Sequence, residues 1–127
     1  MEKPSPSEMS VLKQLWTTAP QSARELHDSV GEQAGWSYST TRTLVARMVE
    51  KGLVERGSAH GLTVFTPKAS KVQVLSMMVR SFSAQVFDLD APVPAAAFAG
   101  SPILDEAELE ELEALLSDHD PKPGDDA

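Results

Sequence analysis

Apolar positions along this chain recur mainly at three- and four-residue intervals, so the pattern predicts helices, interrupted by one short strand-like stretch. Met9, Leu12, Leu15 and Trp16 share one stripe of a helix over residues 6–18. Ser5-Pro6-Ser7-Glu8 opens it with a capping residue, a proline at the first helical position and a glutamate at the third. Ser22-Ala23-Arg24-Glu25 is a second capping box, leading a helix with the narrow stripe Ala23, Leu26 and Val30 that closes at Gly31 or Gly35. A third helix is expected over residues 39–51. At about 100° per residue, Thr41, Leu44, Val45, Met48 and Val49 fall on one side, and Ser39, Arg42, Thr43, Ala46, Arg47 and Glu50 on the other. Gly52 is placed for a left-handed C-terminal cap.

Two strand-like runs follow at residues 53–56 and 62–66, with residues 57–61 as the hairpin loop. A fourth helix over residues 70–87 carries the stripe Leu75, Met78, Val79, Phe82 and Val86. The proline- and alanine-rich stretch 91–102 gives no periodic signal. The last helix, 106–117, is marked by Asp105 and Glu108 as a capping box and by Leu104 and Leu109 as a hydrophobic staple. Its Leu109, Leu112 and Leu116 face one way and its glutamates face solvent. The expected fold is mainly α with a small antiparallel β-wing. Its parts are a three-helix-and-hairpin domain over residues 1–69, a helical region over 70–117 and a disordered acidic tail over 118–127.

The net charge of −8 argues at first sight against a nucleic-acid partner, but the charge is divided unevenly. Residues 1–82 hold ten Lys and Arg against seven Asp and Glu, whereas residues 83–127 hold one lysine against twelve acids. The first part can face DNA and the second would be repelled by it. There is no cysteine, hence no disulfide framework or thiolate metal site. His27, His60 and His119 share no ligand spacing, so neither a metal nor another cofactor is expected. No nucleophile–base pair or phosphate loop is visible, which argues against an enzyme. The start, Met1-Glu2-Lys3-Pro4, lacks the layout of a signal peptide, and no apolar run is long enough to span a membrane. A cytoplasmic protein without a membrane partner is the expectation.

Three helices followed by a β-hairpin is the order of a winged helix-turn-helix. The third helix would then place Ser39, Thr40, Arg42, Thr43 and Arg47 at base edges or phosphates in a major groove. Lys51 and the wing, with Arg56 and His60, would supply backbone contacts. The other reading of Arg42 and Arg47 is a merely solvated helix face. Tyr38 has two readings as well: its hydroxyl reaches a phosphate, or its ring packs. Trp16 and Trp36 are expected to pack in the domain. Too little chain remains to cover both sides of the fourth helix. Its stripe, with Leu109, Leu112 and Leu116, is therefore expected to build a dimer interface.

Residues 5–82 resemble the DNA-binding domain of the BlaI/MecI penicillinase-repressor family. The resemblance is carried by the run from Glu8 to Trp16, by Ala23-Arg24-Glu25-Leu26, by Val64-Phe65-Thr66-Pro67, and most strongly by the run from Trp36 to Val54. The acidic last helix resembles the family's dimerisation element. The resemblance implies a homodimeric repressor on a near-palindromic double-stranded operator. It also implies a sensor-linked protease that cuts an Asn-Phe bond before the last helix. Two positions depart from the family pattern. The aligned bond reads Ala97-Phe98, without the asparagine, and Gly61 is followed by Leu62 where the family's wing has an arginine. The absence of cysteine excludes the thiolate copper sensing of a related branch. A rival from another class is a winged-helix module that binds a protein regulator. The overall acidity and the missing wing arginine favour it, and salt dependence discriminates the two.

Overall fold

The computed structural model describes residues 2–86 and 104–118. The expected cleavage position Ala97-Phe98 and the tail beyond Asp118 lie outside the described residues. The chain divides into two compact units, Met1–Lys71 and Val72–Ala127.

The first unit opens with α1, Pro6–Thr17. Ser5 and Glu8 form a full capping box: Glu8 N–H donates to Ser5 Oγ at 3.2 Å and Ser5 N–H donates to Glu8 Oε1 at 2.8 Å. A two-residue strand, β1 (Gln21–Ser22), then leads into α2, Ala23–Leu26. The second capping box is also complete, with Ser22 N–H donating to Glu25 Oε1 at 2.8 Å and Glu25 N–H to Ser22 Oγ at 3.1 Å. One π-helical turn, His27–Gly31, and the short α3, Glu32–Ala34, continue this segment. Next comes α4, Tyr38–Glu50, whose N-cap is Ser37. It starts one residue earlier than the pattern predicts, because the Ser37 side chain accepts from Thr40 N–H at 3.1 Å.

The hairpin is longer and tighter than expected. β2 spans Val54–Ala59 and β3 spans Leu62–Pro67, so residues 57–59 belong to a strand and only His60-Gly61 form the loop. Both loop residues have positive φ, 53° and 77°, as a two-residue turn matched to the strand twist requires. β1 pairs with β3 antiparallel, Gln21 opposite Phe65, giving the sheet order β1-β3-β2. That third strand is absent from the sequence-based expectation. The resulting order of α1, β1, the α2–α3 segment, α4 and the β2–β3 hairpin is that of a winged helix.

The core of this unit is Val11, Leu12 and Leu15 of α1, Leu26, then Leu44, Val45 and Met48 of α4, with Leu53, Val54 and Phe65 of the sheet region, all buried. Trp16 packs at its edge and its indole N–H donates to Ala69 O at 2.9 Å. In the second unit α5 (Lys71–Val86) and α6 (Glu106–Asp118) contribute to a separate cluster. Val72 and Val79 are buried with Leu104, Leu112 and Leu116, and Leu75 and Leu109 pack against them half-buried. The third capping box is formed as well, Glu108 N–H donating to Asp105 Oδ1 at 2.7 Å. The Arg80 guanidinium ties the two helices by donating to Leu115 O.

Candidate nucleic-acid interface

Helix α4 divides as its periodicity dictates. Thr41, Leu44, Val45 and Met48 are buried, while Ser39, Thr40, Arg42, Thr43, Ala46, Arg47 and Glu50 are exposed. The exposed face therefore carries two guanidiniums among short polar side chains, donors of the kind that base edges and phosphates accept from. Thr40 is partly committed, since its hydroxyl oxygen accepts from Ser37 Oγ at 3.0 Å.

Beside that face runs a concave surface bounded by α2, α4 and the hairpin. It brings together Tyr38, Ser39, Arg42 and Thr43 from α4, Arg56 from β2, and Arg24 from α2. Arg56 stands opposite Phe65 in the ladder, its guanidinium 5.8 Å from the ring centroid. Arg47 and His60 are exposed outside this concavity. Leu62, at the start of β3, is 61% exposed on its rim, an apolar side chain in the wing.

Lys51 has a different place from the one expected of it. Its ammonium is 2.7 Å from Glu8 Oε1, and the Glu8 side chain is 1% exposed. A buried carboxylate needs a partner, and it takes this one, so Lys51 holds the C-terminal end of α4 to α1 and is not a free phosphate ligand. Burial pushes the Glu8 carboxyl up, but the hydrogen bonds from Lys51 and Ser5 and the Lys51 charge outweigh it, leaving its pKa below the ordinary 4.5.

Tyr38 packs and also faces the concavity. Its ring meets His27 edge-on at 5.6 Å, with 72° between the planes. Behind it, buried His27 Nδ1 and Thr41 Oγ1 are hydrogen-bonded at 2.9 Å. Gly31, on the same π turn, lets this pair approach, since a Cβ there would sit 2.5 Å from Thr41 Oγ1 and in collision with His27 Nδ1.

Arg24 is the residue that sequence reasoning missed. The signal was present: a cation in the first turn of a helix opposes the macrodipole and asks for a reason.

The residues expected at the dimer interface are also sorted by burial. Val79, Leu112 and Leu116 are buried in the second unit's own core, which removes them from any contact surface of that unit. Phe82 and Val86, one helical turn apart on α5, are 52% and 57% exposed, and Met78 is half-buried.

Among the described residues no helix is long and apolar enough to cross a membrane. The chain matches the penicillinase repressor family over residues 4–118. It is 22% identical over 115 residues to the penicillinase repressor of Bacillus licheniformis, covering 91% of this chain and 90% of that one. It is equally 22% identical over 111 residues to an uncharacterized 16.5 kDa protein of the ptsI 3' region of Latilactobacillus sakei, covering 87% of this chain and 76% of the relative. Among solved structures, a MarR family protein from Bacillus stearothermophilus aligns with a TM-score of 0.47 and 19% identity, over 92% of this chain and 73% of that one. The family match spans nearly the whole chain, and it makes this chain no enzyme but a member of the penicillinase repressor family of winged-helix DNA-binding repressors.

Proposed function

We propose that the chain acts as a homodimeric, sequence-specific repressor that docks α4 in the major groove of a near-palindromic operator. The observation that carries this reading is the division of α4, with every exposed side chain on one face short, hydroxylic or cationic except Glu50. Ser39, Thr40, Arg42, Thr43 and Arg47 are the base- and phosphate-facing set, and Arg56 and His60 approach the sugar-phosphate backbone from the wing. Arg47→Ala is expected to weaken binding to the preferred sequence by about 1–3 kcal/mol if the guanidinium reads a base edge. An equal loss on preferred and scrambled duplexes would reassign it to phosphate.

Two copies associate through the second unit, with Phe82, Val86, Met78, Leu75 and Leu109 as the contact set. The buried leucines and Val79 support that surface from within each copy. A dimer makes two half-site contacts in one binding event and so converts a weak half-site affinity into a useful one. Phe82→Glu is expected to shift the sedimentation equilibrium toward monomer and to weaken operator binding with it. An unchanged dimer would remove this face from the interface. The site of action is the cytoplasm. Induction by a sensor-linked protease would act at the Ala97-Phe98 neighbourhood.

The reading is tested by fluorescence anisotropy on the DNA upstream of the chain's own gene and on a scrambled duplex, across a salt series. Preferential and steeply salt-sensitive binding is expected. Equal, salt-insensitive binding to both would favour a protein partner instead.

A further inference from the structure

The Arg24 side chain takes no part in the capping box of α2, which Ser22 and Glu25 form between them. It follows the N-cap Ser22 by two residues, where the positive end of the helix disfavours a cation. Its guanidinium lies 4.1 Å from the centroid of the Tyr38 ring, and the guanidinium of Arg42 is 5.9 Å from the same ring. Among the described residues, neither guanidinium has a carboxylate within 4.0 Å. The adjacent acid, Glu25, has its Oε1 turned to the Ser22 N–H at 2.8 Å. Two uncompensated cations therefore share one aromatic ring. An anion entering the concavity would supply the counter-charge that both lack.

The geometry suits an oxyanion. At 4.1 Å from the ring centroid the Arg24 guanidinium is held by cation–π attraction, which does not consume its N–H donors. The platform is itself fixed. Tyr38 is the first residue of α4, and its ring rests edge-on against His27 at 5.6 Å, while His27 is bonded to buried Thr41 at 2.9 Å. The fork of Arg24 is thus held from a helix that would cross the DNA strand rather than enter the groove, a position that reaches phosphate and not base edges.

We infer that Arg24 is a phosphate-binding residue of the DNA interface and that Tyr38 is the positioning residue that holds it. The inference rests on the DNA-binding reading above and adds a contact from α2 that the sequence pattern does not assign. The test measures the full-length protein by fluorescence anisotropy on its preferred duplex and on a scrambled one, over a salt series. Arg24→Ala is expected to weaken binding to both duplexes by the same factor, about 3–10-fold, and to lower the slope of log affinity against log salt by about 1. Arg24→Lys keeps the charge and loses the planar stack, so it is expected to keep the slope with a smaller loss. Tyr38→Leu removes the ring and is expected to lower the slope as Arg24→Ala does, and Tyr38→Phe, which restores the ring, to recover most of that loss. An unchanged slope in Arg24→Ala overturns the inference, and so does a loss confined to the preferred duplex. If the unaltered protein binds neither duplex, the DNA-binding reading itself falls, an outcome distinct from failure of Arg24 alone.

Discussion

A Gly31→Ala variant is expected to be less stable than the unaltered protein, although the same change in an ordinary helix stabilises. Alanine gains about 1 kcal/mol over glycine in a helix interior. Here the added methyl would meet Thr41 Oγ1 at 2.5 Å and collide with His27 Nδ1. Neither neighbour can yield cheaply, because Thr41 is 0% and His27 7% exposed, and the two are bonded to each other. Overpacking costs about 1–3 kcal/mol, and a buried hydrogen bond pulled apart adds about 1–3 kcal/mol. The penalty wins, and a net loss of about 1–5 kcal/mol is expected in urea unfolding. DNA affinity should fall too, because this crossing seats Tyr38 and the first turn of α4. A urea midpoint at or above that of the unaltered protein would show that the contact has room to spare.

Removal of Glu8 is expected to have the other large effect on stability. Glu8→Ala deletes the reciprocal half of the α1 capping box and strips Lys51 of its counter-charge. Breaking a fully buried pair by removing one partner costs about 3–5 kcal/mol. The Lys51 side chain is 21% exposed, so its ammonium recovers some hydration and the loss should be smaller, about 2–3 kcal/mol including the cap. The paired change Glu8→Ala with Lys51→Met should recover part of it, since no uncompensated charge remains. The same contact sets an acid dependence. The folded carboxyl has a pKa below its ordinary 4.5, so its contribution is fully present above that value. It is lost as pH falls through the lower folded value, because the unfolded chain then binds the proton first. The unaltered protein should therefore lose stability below about pH 4.5 more steeply than Glu8→Ala. Parallel stability–pH curves would contradict this.

Much of the fold was legible because it is local. All three capping boxes, at Ser5 and Glu8, Ser22 and Glu25, and Asp105 and Glu108, form hydrogen bonds between residues three apart. The two faces of α4 follow from helical periodicity alone. What escaped is tertiary. β1 has two residues, too few to show alternation, and exists because β3 offers it a ladder. Gly57, Ser58 and Ala59 have the composition of a loop, yet they pair with Val64, Thr63 and Leu62, and the ladder overrides propensity. Lys51 reads as a surface cation until the fold brings Glu8 to it from 43 residues away. Leu112 and Leu116 read as an interface stripe and instead fill the unit's own core, because a leucine stripe looks the same whichever surface covers it. Arg24 acquires its meaning only from the ring of Tyr38.

If the exposed face of α4, presented twice by a dimer, reads a sequence, the protein must select one sequence from many. The most direct test is selection of bound duplexes from a random-sequence pool by the full-length protein. Enrichment is expected of a near-palindrome whose two halves are centred a whole number of helical turns apart, about 34–36 Å per turn, with loss of that enrichment in Arg42→Ala and Arg47→Ala. A pool that stays random after repeated rounds, at salt where the protein is still retained on DNA, would contradict it.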